Sequence, residues 1–281
     1  MNYEKLVGLI REKKSFLCVG LDTDPDKIPA FLKKSEDPVF EFNKRIIDAT
    51  LPYTVAYKPN LAFYESFGSK GWISLEKTMD YINGLNQTVF TIADAKRGDI
   101  GNSAARYAKA FFETLDFDAV TVNPYMGHDS IQPFLIYKDK WTIILALTSN
   151  KGSEDFQVLQ QDDHQNGQGM KLYEKVIERA LTWENSRQIM FVVGATKSEN
   201  IGRIRNIAPD SFFLVPGVGA QGGSLKDVAN AGLTRDCGLL INASRSIIFA
   251  SSDEKFDKAA ASEASQMQRE MEWLLKDKGV I

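Results

Sequence analysis

Eight short apolar runs, at residues 16–22, 54–60, 88–93, 119–123, 141–149, 189–194, 212–216 and 238–243, constrain this chain more than any other feature. Their continuous hydrophobicity, rich in β-branched and aromatic residues, is that of strands in a parallel sheet covered on both faces. Helix-like sequence separates them. Residues 3–14 carry Leu6, Leu9 and Ile10 among charges, 39–47 repeat the pattern, and 103–114, 170–184 and 198–206 follow between later runs. A closing helix carries Phe256, Ala260, Met267, Met271 and Leu274 as one stripe, expected to face the core. Eight βα units across 281 residues predict an α/β fold, a closed (β/α)8 TIM barrel forming one domain over 1–281, with no exposed sheet edge. The alternative is an open doubly wound sheet. Its first βα turn would be Gly20-Leu21-Asp22-Thr23-Asp24, which lacks the Gly-x-Gly-x-x-Gly fingerprint, so a dinucleotide cofactor is not indicated.

A hydrophobic content of 43% is enough to fill such a core. The net charge of −3, without a long Lys/Arg run, points away from nucleic acid and anionic lipid. Met1-Asn2-Tyr3-Glu4-Lys5 mixes acid and base where a signal peptide needs a basic and then an apolar stretch, and no run approaches the ~18 apolar residues of a membrane span. A cytoplasmic location is expected. Cys18 lies in an apolar run and Cys237 just before another, which suits two buried free thiols better than a disulfide. His128 and His164 are the only histidines, far apart in sequence. This disfavours a His-based zinc site or a Ser-His-Asp triad, although His128 alone could bind a ligand. The most polar stretch, 150–169, reads as a solvated loop or as a lid.

Charge begins where strands end. Asp94-Ala95-Lys96-Arg97-Gly98-Asp99 follows the third run, and side chains two apart on a strand share a face, so Asp94 and Lys96 are expected to point the same way. Gly98 breaks the strand. A helix beginning near Asp99 would put Asp99 and Ser103 on one face and leave an ammonium between two carboxylates. On a surface such a pattern is only an ion-pair cluster. At the end of an apolar strand in an α/β protein it lies where ligands bind. Two carboxylates can also hold magnesium, but Lys96 already supplies a cation between them. In a barrel, Asp22, Lys58, Asp94, Lys96, Ser149, Pro216 and Arg245 all reach one rim.

Pro216-Gly217-Val218-Gly219-Ala220-Gln221-Gly222-Gly223-Ser224 follows the seventh run and Ser244-Arg245-Ser246 the eighth. Loops after these two strands commonly form a phosphate site from backbone N–H groups, and Arg245 can grip the anion with a planar fork. A Gly-rich loop alone is equally well a turn; the arginine at the next strand end strengthens the phosphate reading.

Together these segments resemble the orotidine 5′-monophosphate decarboxylases, specifically a longer bacterial subfamily. The most specific piece is Asp94-Ala95-Lys96-Arg97-Gly98-Asp99-Ile100-Gly101, supported by Gly20-Leu21-Asp22, Tyr57-Lys58-Pro59-Asn60, Leu147-Thr148-Ser149, the 215–223 loop and Asn242-Ala243-Ser244-Arg245-Ser246. The resemblance implies a cofactor-free homodimer, without metal, that converts orotidine 5′-monophosphate to UMP in pyrimidine biosynthesis. It implies that Lys96 protonates C6 as carbon dioxide leaves, with Asp94 beside the substrate carboxylate. Asp99 would enter the neighbouring subunit's site, with Ser103 near the same ribose. Asp22 and Lys58 would hold ribose hydroxyls and extend the charge network. Ser149 would contact the pyrimidine, and Pro216, Gln221, Gly222 and Arg245 would line the phosphate end. Ser103 stands where many relatives carry Thr, and the hydroxyl remains. The competing enzyme is a magnesium-dependent sugar-phosphate decarboxylase or aldolase on the same barrel. Lys58 stands where those relatives tend to carry an acid. A non-catalytic phosphometabolite-binding barrel is the third reading.

Overall fold

Parallel pairing of the apolar runs closes on itself in the computed structural model, which describes residues 1–161, 169–195, 198–219 and 222–281. The barrel strands are β1 (Leu17–Leu21), β2 (Ala56–Pro59), β3 (Phe90–Arg97), β4 (Ala119–Val122), β5 (Trp141–Leu147), β6 (Ile189–Val193), β7 (Phe212–Pro216) and β8 (Leu239–Ala243). Each pairs with its sequence neighbours, and β1 closes the ring on β8 with Leu17 opposite Ile241. The closed TIM barrel expected from the sequence is therefore present, with helices between the strands.

Those helices are α1 (Tyr3–Lys13), α2 (Pro38–Thr50), α3 (Leu61–Glu65), α4 (Gly68–Asn83), α5 (Gly101–Lys109), α6 (His128–Leu135), α7 (Leu172–Ala180), α8 (Ser198–Ile207), α9 (Leu225–Gly232), α10 (Arg245–Ile248) and α11 (Phe256–Asp277). Local chemistry sets their starts. The Asn2 side chain accepts the Lys5 N–H at the head of α1, and Asp37 accepts the Phe40 N–H at the head of α2, where Pro38 needs no partner for a missing N–H. Burial of Phe256, Ala260, Met271 and Leu274 fixes the inner face of α11, with Met267 partly covered.

The end of the barrel where strands begin is packed with rings. Trp141, Phe90 and Phe212 are fully buried, and Trp141 lies 6.1 Å from Phe90 and 6.0 Å from Phe212, edge to face in both cases. Tyr3 stacks on Trp141 at 6.1 Å, and the Trp141 Nε1–H donates to the Met1 carbonyl at 2.7 Å. A buried indole N–H is thereby satisfied without breaking the apolar floor.

Two local features depart from the expected pattern. Between Ala93 and Arg97 the β3–β4 register shifts, and Lys96 takes φ +48°, the left-handed region that few non-glycine residues adopt. In the polar stretch, Gln160–Gln161 pairs antiparallel with Met170–Lys171, so α7 begins at Leu172 rather than at 170. Residues 162–168, which include His164, lie outside the described residues.

Candidate active site

Four charged side chains from the first three strand ends form a row of alternating sign. Asp22 follows β1, Lys58 lies in β2, and Asp94 and Lys96 lie in β3, whose edge continues past the ladder through pairing of Asn60 with Asp94. Lys58 Nζ is 3.8 Å from Asp22 Oδ1 and donates to Asp94 Oδ2 at 2.8 Å. Lys96 Nζ donates to the other Asp94 oxygen, Oδ1, at 2.5 Å. The sequence led us to expect an ammonium between two carboxylates at Asp94, Lys96 and Asp99. Within the chain the arrangement is instead a carboxylate, Asp94, between two ammonium groups.

The bulge in β3 explains how this geometry holds. With its backbone turned into the left-handed region, Lys96 donates its N–H to Thr121 Oγ1 at 2.9 Å, and that hydroxyl donates onward to Asp94 Oδ1 at 3.1 Å. One hydroxyl on β4 thus ties together the backbone of Lys96 and the carboxylate it pairs with. Thr121 is the polar position inside an otherwise apolar run, a signal present in the sequence and not singled out there.

Burial separates the two lysines. The Lys58 side chain is 4% exposed and that of Lys96 is 48% exposed. For Lys58, burial opposes the charged form, but Asp94 and Asp22 outweigh it and hold the pKa above the ordinary lysine value. For Asp94, burial opposes ionisation, and Lys58 and Lys96 together outweigh it, holding the carboxyl well below the usual carboxylate range. Cys18 sits near the same groups as a neutral neighbour, because burial pushes its thiol up to about 12. Both cysteines are free and buried, as expected.

Asp99 is not on a helix with Ser103, because α5 begins at Gly101, which takes the left-handed φ of +54° at the first helical position. The Asp99 carboxylate accepts the Ile100 N–H at 2.8 Å, and among the described residues it forms no ion pair with Lys96. Ser103 is exposed on the first turn of α5. Nearby, Ile100 and Ile136 line one groove with Pro133, and Tyr125, 85% exposed, and Met126 are exposed in the turn before α6. His128 stands apart from the charged row, its ring 5.0 Å from that of Trp183.

Across the rim, Ser149 follows β5, Pro216 ends β7, and Arg245 opens α10 directly after β8. Arg245 is exposed and forms no ion pair among the described residues, so its guanidinium is available to an anion. The Gly-rich loop braces itself: the N–H of Gly219 donates to the Gly223 carbonyl at 2.9 Å, that of Gly222 to Gly219 at 2.9 Å, and that of Gly223 to Gly217 at 3.2 Å. Gly222 takes φ +86°, which a side chain would resist. These three amides are used within the loop, which leaves Arg245 as the described group best suited to a phosphate. Gln221 lies outside the described residues.

Comparison with known proteins gives a consistent picture. Residues 15–260 match the model of the Orotidine 5′-phosphate decarboxylase / HUMPS family. A curated orotidine 5′-phosphate decarboxylase from Porphyromonas gingivalis is 57% identical over 281 residues, all of both chains. Another from Phocaeicola vulgatus is 56% identical over 275 residues, 98% of this chain and 99% of that one. Among solved structures, the OMP decarboxylase of Leishmania donovani superposes with a TM-score of 0.81 at 40% identity, covering 97% of this chain and all of the other.

Proposed function

The chain belongs to the orotidine 5′-phosphate decarboxylase family and decarboxylates orotidine 5′-monophosphate to UMP in pyrimidine biosynthesis, and from that premise we propose that Lys96 is its proton donor at C6. The observation that carries this reading is the contrast between the two lysines of the row. Both ammonium groups pair with Asp94, but only Lys96 reaches solvent. A group that gives up a proton each turnover must be able to recover one, and a lysine sealed in the barrel between two carboxylates is poorly placed to do so.

Loss of carbon dioxide from C6 leaves an electron pair in an sp² orbital that the ring delocalises poorly. The Lys96 ammonium stabilises that charge as it forms and then transfers its proton, so that a C6–H bond replaces the C6–carboxylate bond. Asp94 holds the Lys96 ammonium in place through their hydrogen bond and lies where a substrate carboxylate would meet its repulsion. Two unit charges ~4 Å apart are worth about 4 kcal/mol at an effective dielectric of 20, against the roughly 8–23 kcal/mol enzymes typically supply. Lys96 therefore works with the substrate's other contacts: Asp22 and Lys58 at the ribose, Ser149 at the pyrimidine, and Pro216, Gln221, Gly222 and Arg245 at the phosphate. Binding energy from the phosphate and ribose holds the carboxylate against Asp94. Lys58 already occupies the space between Asp22 and Asp94 as a cation, which supports this chemistry over that of a magnesium-dependent sugar-phosphate enzyme.

The reading extends to assembly. The whole chain, 1–281, acts as one barrel domain that pairs with a second copy through the groove lined by Ile100, Pro133 and Ile136, carrying Asp99 and Ser103 into the partner's site. Two buried, unpaired cysteines support a reducing compartment, and we assign the enzyme to the cytoplasm. Hybrid dimers test these roles together. Lys96→Ala and Asp99→Ala proteins should each be inactive. After unfolding and refolding as an equal mixture they should recover about one quarter of wild-type activity, because half the dimers are hybrids and each hybrid has one intact site. No recovery from subunits shown to have exchanged would remove Asp99 from the partner's site.

A further inference from the structure

Four buried polar side chains beneath the Asp22 end of the row belong to no part of the chemistry described so far. Thr23 Oγ1 donates to Asn43 Oδ1 at 2.5 Å, and Asn43 Nδ2 donates to Tyr64 Oη at 3.0 Å and to Thr78 Oγ1 at 3.1 Å. Tyr64 Oη donates in turn to the Leu21 carbonyl at 3.1 Å. Asn43 is 0% exposed and stands among Phe42, Ile46 and Ile47 on the buried face of α2. From there it joins the end of β1, α3 and α4. The approach of α4 to α3 that this requires depends on Gly71, where a Cβ would fall within 1.8 Å of the Tyr64 carbonyl oxygen.

The network grips the chain on both sides of one residue. Leu21 is held by its carbonyl and Thr23 by its hydroxyl, and between them lies Asp22. The Asp22 carboxylate has what a preorganised group needs and a relaxed one would lack: among the described residues its buried Oδ1 has no hydrogen-bond partner, and the nearest ammonium, on Lys58, is 3.8 Å away. An unconstrained carboxylate would move to close that gap, because a buried acceptor left unpaired costs stability. A backbone clamped at both neighbours keeps it from doing so and leaves Oδ1 waiting for a donor.

We infer that Asn43 is a positioning residue, which acts through Leu21 and Thr23 to hold the Asp22 carboxylate ready for a hydroxyl of the substrate ribose. The inference rests on the assignment of Asp22 to the ribose. It also explains why a fully polar network is retained inside an apolar helix face, where an aliphatic side chain would pack without needing partners.

The test measures kcat/KM for orotidine 5′-monophosphate and for its 2′-deoxy and 3′-deoxy counterparts in wild type, Asp22→Ala and Asn43→Leu. In the wild type, loss of the hydroxyl bound by a carboxylate should cost at least about tenfold. Asn43→Leu should compress that ratio toward the value for Asp22→Ala, and the double variant should compress it no further. Should Asn43→Leu fold poorly, Tyr64→Phe removes the one oxygen that links Asn43 to the Leu21 carbonyl and carries the same expectation. If Asp22→Ala compresses the ratio while folded Asn43→Leu or Tyr64→Phe slows all substrates equally, the network is merely structural and the inference is overturned. If Asp22→Ala itself leaves the ratio unchanged, the ribose assignment fails, and the inference falls with it.

Discussion

The two ends of the barrel are built from the same strands and obey opposite rules. Where the strands begin, Phe90, Trp141 and Phe212 meet edge to face with Tyr3 above them, and the one polar atom of Trp141 is satisfied. Where β2 and β3 finish, Lys58, Asp94 and Lys96 are packed into a continuous charge row, with a left-handed non-glycine residue and a register shift in the same few positions. Rings gain by leaving water, whereas charges pay a desolvation cost that ion pairing only partly offsets. Strain and buried charge are tolerated at one end because packing at the other supplies the stability. The division of labour separates holding the fold from doing the reaction.

The largest departure should come from Asp94→Asn. Removing its charge leaves buried Lys58 without its nearest partner and Lys96 without its anchor. Stability to urea should fall by about 3–5 kcal/mol, the range for breaking a buried pair, and kcat/KM should fall by at least about 10²-fold. A variant that is both stable and active would erase the distinction between the two ends. Trp141→Ala provides the opposite case. It should cost a similar ~3–5 kcal/mol for the loss of a large buried ring, while kcat measured below its melting temperature stays at the wild-type value. A specific loss of kcat in folded Trp141→Ala would mean that the floor also shapes the site.

A smaller effect separates the ends by pH. Asp94 has a lower pKa folded than unfolded, so its stabilisation is present above the ordinary carboxylate range and is lost as pH falls through that range toward the folded value. Lys58 has a raised pKa, so its contribution is complete below the ordinary lysine value and is lost as pH rises beyond it. In urea titrations between pH 5 and 3, wild type should lose stability more steeply than Asp94→Asn, by at most about 1.4 kcal/mol per pH unit for one proton. Trp141→Ala should keep the wild-type slope. Equal slopes in wild type and Asp94→Asn would show that Asp94 is not held ionised by the row.

Much of this was legible in the sequence because parallel barrels write their strands as unbroken apolar runs. All eight runs became strands, and their ends brought Asp22, Lys58, Asp94 and Lys96 together as expected. Alternation along β3 could not reveal the bulge, because the shift depends on how β3 meets β4 and on the Thr121 hydroxyl waiting there. The start of α5 was misplaced for a similar reason. A helix beginning near Asp99 would have carried Asp99 and Ser103 on one face, but α5 starts only at Gly101, itself in the left-handed region, and Asp99 stays outside it. Asn43 was hidden by its neighbours: within a strongly apolar face a single asparagine carries meaning only once Thr23, Tyr64 and Thr78 converge on it from three other elements.

The central claim is that the exposed ammonium at the end of the row performs the chemistry, and it is tested most directly by following the loss of orotidine 5′-monophosphate absorbance with wild type and Lys96→Ala, both in EDTA. Turnover by the wild type and a loss of at least about 10²–10⁴-fold in Lys96→Ala, with the variant's melting temperature retained, is the expected result. Wild-type activity that vanishes in EDTA, or a Lys96→Ala enzyme that still turns over at the wild-type rate, would contradict it.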